Sequence, residues 1–158
     1  MMNSIRERIV RELIRRVEAS EFENVAFDRV VRTDIPEDYD ATRGSLLAVL
    51  EGDEVYTPTT GSVQEMTFEL FLSFAVPLAA GEEAQAVANN VAAEVIKAFT
   101  GDHTIEEGGK GTGGKKLANG FTPIRTRPDL TDDMDNCAAA TVEFQVRYRT
   151  RTNDLFAA

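Results

Sequence analysis

Gly109, Gly114 and Lys115 stand at the spacing of a phosphate-cradling loop, G-x-x-x-x-G-K, inside the run Gly108-Gly109-Lys110-Gly111-Thr112-Gly113-Gly114-Lys115-Lys116. In such a loop the backbone amides wrap the phosphates, the lysine reaches them, and the following Ser or Thr holds magnesium. Here the following residue is Lys116, the run comes after a helix and a loop rather than a strand, and no clear helix opens behind it. The segment therefore reads as a polar, flexible Gly-rich loop.

His103 is the only histidine and Cys137 the only cysteine, so any Cys-His or Ser-His nucleophilic scheme must use His103 as its base. His103 lies just past a helix end, where an imidazole commonly caps the last carbonyls. Cys137 precedes Ala138-Ala139-Ala140 at a strand entrance and reads as a small buried hydrophobe. Asp129, Asp132, Asp133 and Asp135 suggest a calcium loop until the positions are counted. From Asp133 the sixth residue is Ala138, where glycine is needed, and the twelfth is Phe144, where a bidentate glutamate is needed. These carboxylates read as a solvated acidic turn. No catalytic constellation and no metal site emerges, and no cofactor is implied.

Arg147, Arg149 and Arg151 recur with period two, so on a strand they project as a line from one face. Phosphates of a nucleic acid could be read by such a line. The chain, however, carries 27 acidic against 17 basic side chains, a formal net charge of −10, which disfavours nucleic-acid binding by bulk charge. Glu65 and Glu69 lie on the polar face of another strand, and opposite charges across neighbouring strands, or across a subunit boundary, are the favoured reading. Arg6, Arg8, Arg11, Arg15 and Arg16 form a second basic surface, to be met by solvent or by an acidic neighbour.

Behind these residues stand 158 residues, 42% hydrophobic, enough for one domain with a genuine core and no disulfide staples. One cysteine fits a reducing compartment. No apolar run approaches the roughly 20 residues of a membrane span, and the N-terminus lacks the apolar stretch of a signal peptide. These features predict a soluble chain of a cytoplasm.

Residues 4–18 predict a first helix, with Ile5, Ile9, Leu13 and Val17 on one stripe and Ser4-Ile5-Arg6-Glu7 as a capping box. Strands are predicted at 24–31, at 45–50, and at 65–76, where Met66, Phe68, Leu70, Leu72, Phe74 and Val76 alternate with mostly polar residues. Residues 82–99 predict a second helix closed by Gly101 as a left-handed C-terminal residue. Residues 32–44 and 100–136 show no period and read as loops, the second one long and Gly-rich. A last strand covers 140–151, and 152–158 form a C-terminal tail. The expected fold is α+β: a two-layer sandwich with a mixed four-stranded sheet and both helices on one face.

This layout resembles the tail terminator, or tail completion, proteins of long-tailed bacteriophages, the lambda-type terminator family. The resemblance is carried by the opening helix Asn3-Ser4-Ile5-Arg6-Glu7-Arg8-Ile9-Val10, the strand ending Ala48-Val49-Leu50-Glu51-Gly52-Asp53-Glu54, the strand Glu65-Met66-Thr67-Phe68-Glu69-Leu70-Phe71, the helix Ala86-Val87-Ala88-Asn89-Asn90-Val91-Ala92-Ala93-Glu94-Val95 and the closing strand. It covers most of the chain and rests on pattern, with no counterpart for the Gly-rich insertion. The resemblance implies a non-enzymatic virion protein that closes into a hexameric ring on the head-proximal end of the tail tube. Such a ring stops tube polymerisation and docks the tail to the neck connector, beside a sheath where the tail has one, with DNA only as cargo passing through the lumen. Ring contacts are heterologous. Arg147, Arg149, Arg151, Glu65, Glu69, Arg8 and Arg15 are then the candidate interface residues, and Lys110, Lys115 and Lys116 mark a flexible docking loop. Rival readings are another neck or tube-associated subunit, a nucleic-acid-binding module, or a small-molecule enzyme.

Overall fold

The computed structural model describes residues 2–35, 39–40, 44–59, 61–129, 136–151 and 155, and all that follows concerns those residues. Helix α1 spans Ile5–Ala19, and the amide of Glu7 donates to the Ser4 hydroxyl at 3.2 Å. Only half of the expected capping box forms: the Glu7 carboxylate turns outward to Arg11 at 2.7 Å and Arg32 at 2.9 Å. Helix α2 spans Ala84–Thr100. Gly101 ends it at φ −67°, right-handed, so the left-handed freedom expected of this glycine is not used.

Five strands, not four, make the sheet: β1 Arg29–Val31, β2 Leu46–Pro58, β3 Val63–Pro77, β4 Gly120–Asp129 and β5 Cys137–Arg151, in the order β1-β2-β3-β5-β4. Only the β1–β2 pair is parallel, so the sheet is mixed as expected. Strand β4 lies inside the segment expected to be one loop from 100 to 136. It escapes a periodicity search because it is an edge strand, exposed from Thr122 to Asp129 and interrupted by Pro123 and Pro128. An edge strand tolerates proline because one of its two hydrogen-bonding sides has no partner to lose.

Two other boundaries shift for identifiable reasons. Strand β1 keeps only three of the residues expected at 24–31, because Val25 and Phe27 fold inward onto the core, with Phe27 6.4 Å from the Phe74 ring. Strand β2 runs eight residues beyond Leu50, through a register shift between Glu51 and Glu54 that absorbs Gly52 and Asp53. A side chain at Gly52 would lie 2.7 Å from the Glu69 carboxylate and 2.8 Å from the Phe71 ring, so glycine is needed for this close strand approach.

The core fills the space between one sheet face and both helices. Met66, Phe68, Leu70, Leu72, Val142, Phe144, Val146 and Tyr148 meet Ile5, Ile9, Leu13, Val91, Val95 and Phe99. Phe144 stacks on Phe121 at 4.7 Å and meets Phe99 edge-on at 6.0 Å. The chain is thus α+β in two layers. No helix among the described residues is long and apolar enough to cross a membrane. Of the tail 152–158 only Leu155 is described, and its carbonyl accepts from the Ile5 amide at 3.0 Å; the rest lies outside the described residues.

Candidate functional site

Among the described residues no helix lies on the second face of the sheet. Alternation along β5 and β3 sends every other residue there, and the strand register decides which of them meet. Glu65 pairs with Arg149, Thr67 with Arg147, Glu69 with Gln145 and Val63 with Arg151 across the β3–β5 ladder. Glu65 and Arg149 come to 3.8 Å, the loose end of an ion pair. Arg147 extends over the edge strand instead: a side chain at Gly120 would lie 2.9 Å from its guanidinium. Among the described residues neither Arg147 nor Arg151 forms an ion pair. Glu69 is exposed opposite Gln145, so it does not join Glu65 in pairing with the arginines.

Further along the same face Glu143 is buried and held by Arg125 at 2.5 Å, with Arg127 at 4.0 Å. Ser73 and Thr141 share a hydroxyl hydrogen bond at 2.7 Å. Beyond them the face turns apolar, and Ile35 and Tyr39 cover Ala75, Cys137 and Ala139. Burial there raises the Cys137 thiol, with the nearby Asp129 charge adding to it, so the thiolate is disfavoured. The face is therefore a ladder of charge: an arginine line at one end, an acid clamped between two arginines in the middle, and a covered apolar patch at the other end.

Sequence reasoning placed Arg8 and Arg15 on an interface, and the structure places both inside the chain's own network. Arg8 grips Glu107 with two bonds, of 2.9 and 2.6 Å. Arg15 binds the buried Glu12 at 2.5 Å, and Arg16 binds Asp102 at 2.6 Å. Glu12 also accepts from the Gly108 amide at 3.2 Å. For Arg8 and Arg16 the acidic neighbour of the helix is thus the segment 102–108. Burial alone would raise the Asp102 carboxyl, but the Glu106 amide, the Thr104 hydroxyl and the Arg16 guanidinium together bring it down to about 2. Glu12 is likewise held below the usual carboxylate range: burial opposes this, and Arg15, the Gly108 amide and Arg16 prevail.

The Gly-rich run is folded on itself. The Glu106 carboxylate accepts from the amides of Gly111 at 3.0 Å and Gly113 at 2.6 Å. Amides that would cradle a phosphate thus serve an internal acid, and Gly108, Gly109, Gly111 and Gly113 all take the positive φ this winding demands. The Lys110 ammonium donates to the Gly101 carbonyl at 3.1 Å, Lys116 bridges to Glu106 through the backbone, and the Lys115 carbonyl accepts from Glu107. The expectation of one flexible loop over 100–136 is corrected to a tight glycine turn followed by strand β4.

His103 and Cys137 do not meet. His103 lines a hollow of about 370 Å³ beside Arg149, whereas Cys137 begins the same strand β5 that Arg149 nearly ends. At about 3.3 Å per residue those two ends are on the order of 40 Å apart. Asp132, Asp133 and Asp135 lie outside the described residues.

Sequence reasoning missed one cluster. Arg6 joins Glu51 at 2.7 Å and Glu54 at 3.4 Å and covers the Phe68 ring at 4.7 Å, while the Tyr148 hydroxyl donates to Glu54 at 2.7 Å. Burial, and then the Glu54 carboxylate, push the Tyr148 phenol far up. Only Arg6 carried a signal, as a member of the helix's arginine face; its partners depend on the unforeseen extension of β2. Arg125 and Arg127 were missed with the edge strand that carries them. No protein-family model matches the sequence, and no curated protein matches it.

Proposed function

We propose that this chain is a structural virion subunit of the tail-terminator type. In this reading its copies close into a ring, most simply a hexamer, on the head-proximal end of a phage tail tube, halt polymerisation of the tube and present a docking surface to the neck connector. Assembly takes place in the host bacterial cytoplasm, and DNA only passes through the lumen.

One observation carries the reading beyond the sequence resemblance. Among the described residues one end of the helix-free sheet face stays exposed, bearing Arg147 and Arg151 without ion-pair partners and Arg149 only loosely paired, in a chain of net charge −10. A line of arginines on a rigid strand is a preorganised surface for an acidic protein face. It fixes register and favours encounter. DNA is the poorer partner, since the excess of acids repels a polyanion at longer range.

Light scattering and native mass measurement of the purified protein, alone and mixed with tube protein, test this directly. A six-subunit ring that binds the tube end and stops its growth is the expected result. A strictly monomeric protein that ignores tube and neck components sinks the reading, and unaided growth into long tubes replaces it with a tube subunit. Arg147→Glu with Arg149→Glu is expected to weaken assembly; a double variant that assembles like the wild type removes these residues from the interface.

A further inference from the structure

The two margins of the sheet differ in charge and shape, and they are complementary. At one margin β1 and the end of α1 border a hollow of about 440 Å³. Val17, Phe22, Val25 and Phe27 form an apolar part of its wall. Its rim carries the exposed carboxylates Glu18 and Glu21, and Asp28, against a single Arg29. At the other margin β4 offers the reverse: Ile124, 48% exposed at the register shift, next to Arg125 and to Arg127, whose side chain is 64% exposed. The strand order puts these two features on opposite edges of one sheet.

We infer that a second copy of this chain is the occupant of the hollow, with Ile124 of one copy seated among the aromatic residues of the next and the exposed Arg127 set against Glu18 and Glu21. This rests on the self-association proposed above and specifies which surfaces meet. Because the contact joins two different edges, it is heterologous and repeats from copy to copy, as a ring requires. It proceeds through side chains, not by continuing the sheet. Pro123 and Pro128 remove donors from the β4 edge, and β1 is only three residues long, so neither edge templates a full added strand.

Charge reversal tests the pairing of the edges. Arg127→Glu reverses the β4 margin, with Arg125 left in place to keep Glu143 paired. Glu18→Lys with Glu21→Lys reverses the hollow and suits the negative end of α1. Each variant alone is expected to self-associate about tenfold more weakly than the wild type by analytical ultracentrifugation. An equimolar mixture is expected to recover association, because in an alternating ring every junction again joins opposite charges. Ile124→Ser, which leaves the charges of the margin unchanged, is expected to weaken association and to gain nothing from mixing with the Arg127→Glu variant. Variants that each associate like the wild type overturn the edge contact and leave the ring standing, and a mixture of folded variants that fails to recover overturns it as well. A wild type that stays monomeric at high micromolar concentration overturns both the contact and the ring.

Discussion

Strand β5 presents two surfaces of one backbone, and they do opposite things. Toward the helices Val142, Phe144, Val146 and Tyr148 are at most 2% exposed and pack on both helices. Toward the open side Arg147, Arg149 and Arg151 stand in solvent, with Arg149 near Glu65 at 3.8 Å. Burial of apolar area is worth on the order of 25 cal/mol per Å², whereas an exposed ion pair contributes about 0–1 kcal/mol. The covered face therefore carries the stability, and the open face is free to be shaped by what it must contact. A substitution that separates folding from assembly has to come from the open side.

The largest effect is expected on the covered side. Phe144→Ala removes the ring stacked on Phe121 and set edge-on to Phe99, and leaves a cavity that the neighbouring aromatics cannot close. A loss of about 3–5 kcal/mol is expected in denaturant unfolding. A loss below about 1 kcal/mol would show that the aromatic cluster is not the centre of the core.

Between the two faces in magnitude stands the segment 102–113, anchored in the core by Ile105 and tied to the arginines of α1 by carboxylates. Asp102 has a folded-state value of about 2, below its ordinary 3.8, so the folded protein binds fewer protons than the unfolded chain in that interval. Its contribution is complete above about pH 4 and is lost as pH falls through about 2; by linkage it is on the order of 2 kcal/mol. Asp102→Asn keeps the size and removes the charge that Arg16 and the Glu106 amide address. The variant is expected to lose about 1–2 kcal/mol and to flatten the stability profile between pH 4 and 2. An acid profile as steep as the wild type's would place the acid sensitivity elsewhere.

How much of this was legible in the sequence follows the same division. Elements that bury one face announce themselves by period: α1, α2, β3 and β5 all lie close to where the spacing of Ile5, Val91, Phe68 and Phe144 puts them, and so does the α+β layering. Strand β4 buries almost nothing beyond Gly120 and Phe121, so it leaves no alternating pattern, and its two prolines argue against a strand at all. It exists because β5 offers a free edge, which is information held by the partner and not by the segment. The extension of β2 past Gly52 was hidden in the same way by a bulge. At the candidate site, period two put Arg147, Arg149 and Arg151 in line, and the Glu65 to Arg149 register agrees with cross-strand pairing. What spacing could not supply was the destination of Arg8 and Arg15, since Glu107 lies 99 residues from Arg8 and only the fold brings it back to α1.

The smallest expected effect on folding is also the one that sharpens the comparison most. Arg147→Glu with Arg149→Glu touches no core residue, breaks one ion pair at the limit of contact, and sets new carboxylates beside Glu65 on an exposed face. Like charges directly opposite across a ladder cost a few tenths of a kcal/mol to about 1 kcal/mol. The unfolding midpoint is therefore expected to fall only slightly, and its denaturant slope to stay unchanged, since the surface exposed on unfolding is the same. If the open face serves contact and not folding, this nearly silent change in stability accompanies a clear loss of assembly in the same preparation. A variant that instead loses several kcal/mol would mean that the arginine line supports the sheet itself, and the division of labour between the two faces of β5 would have to be given up.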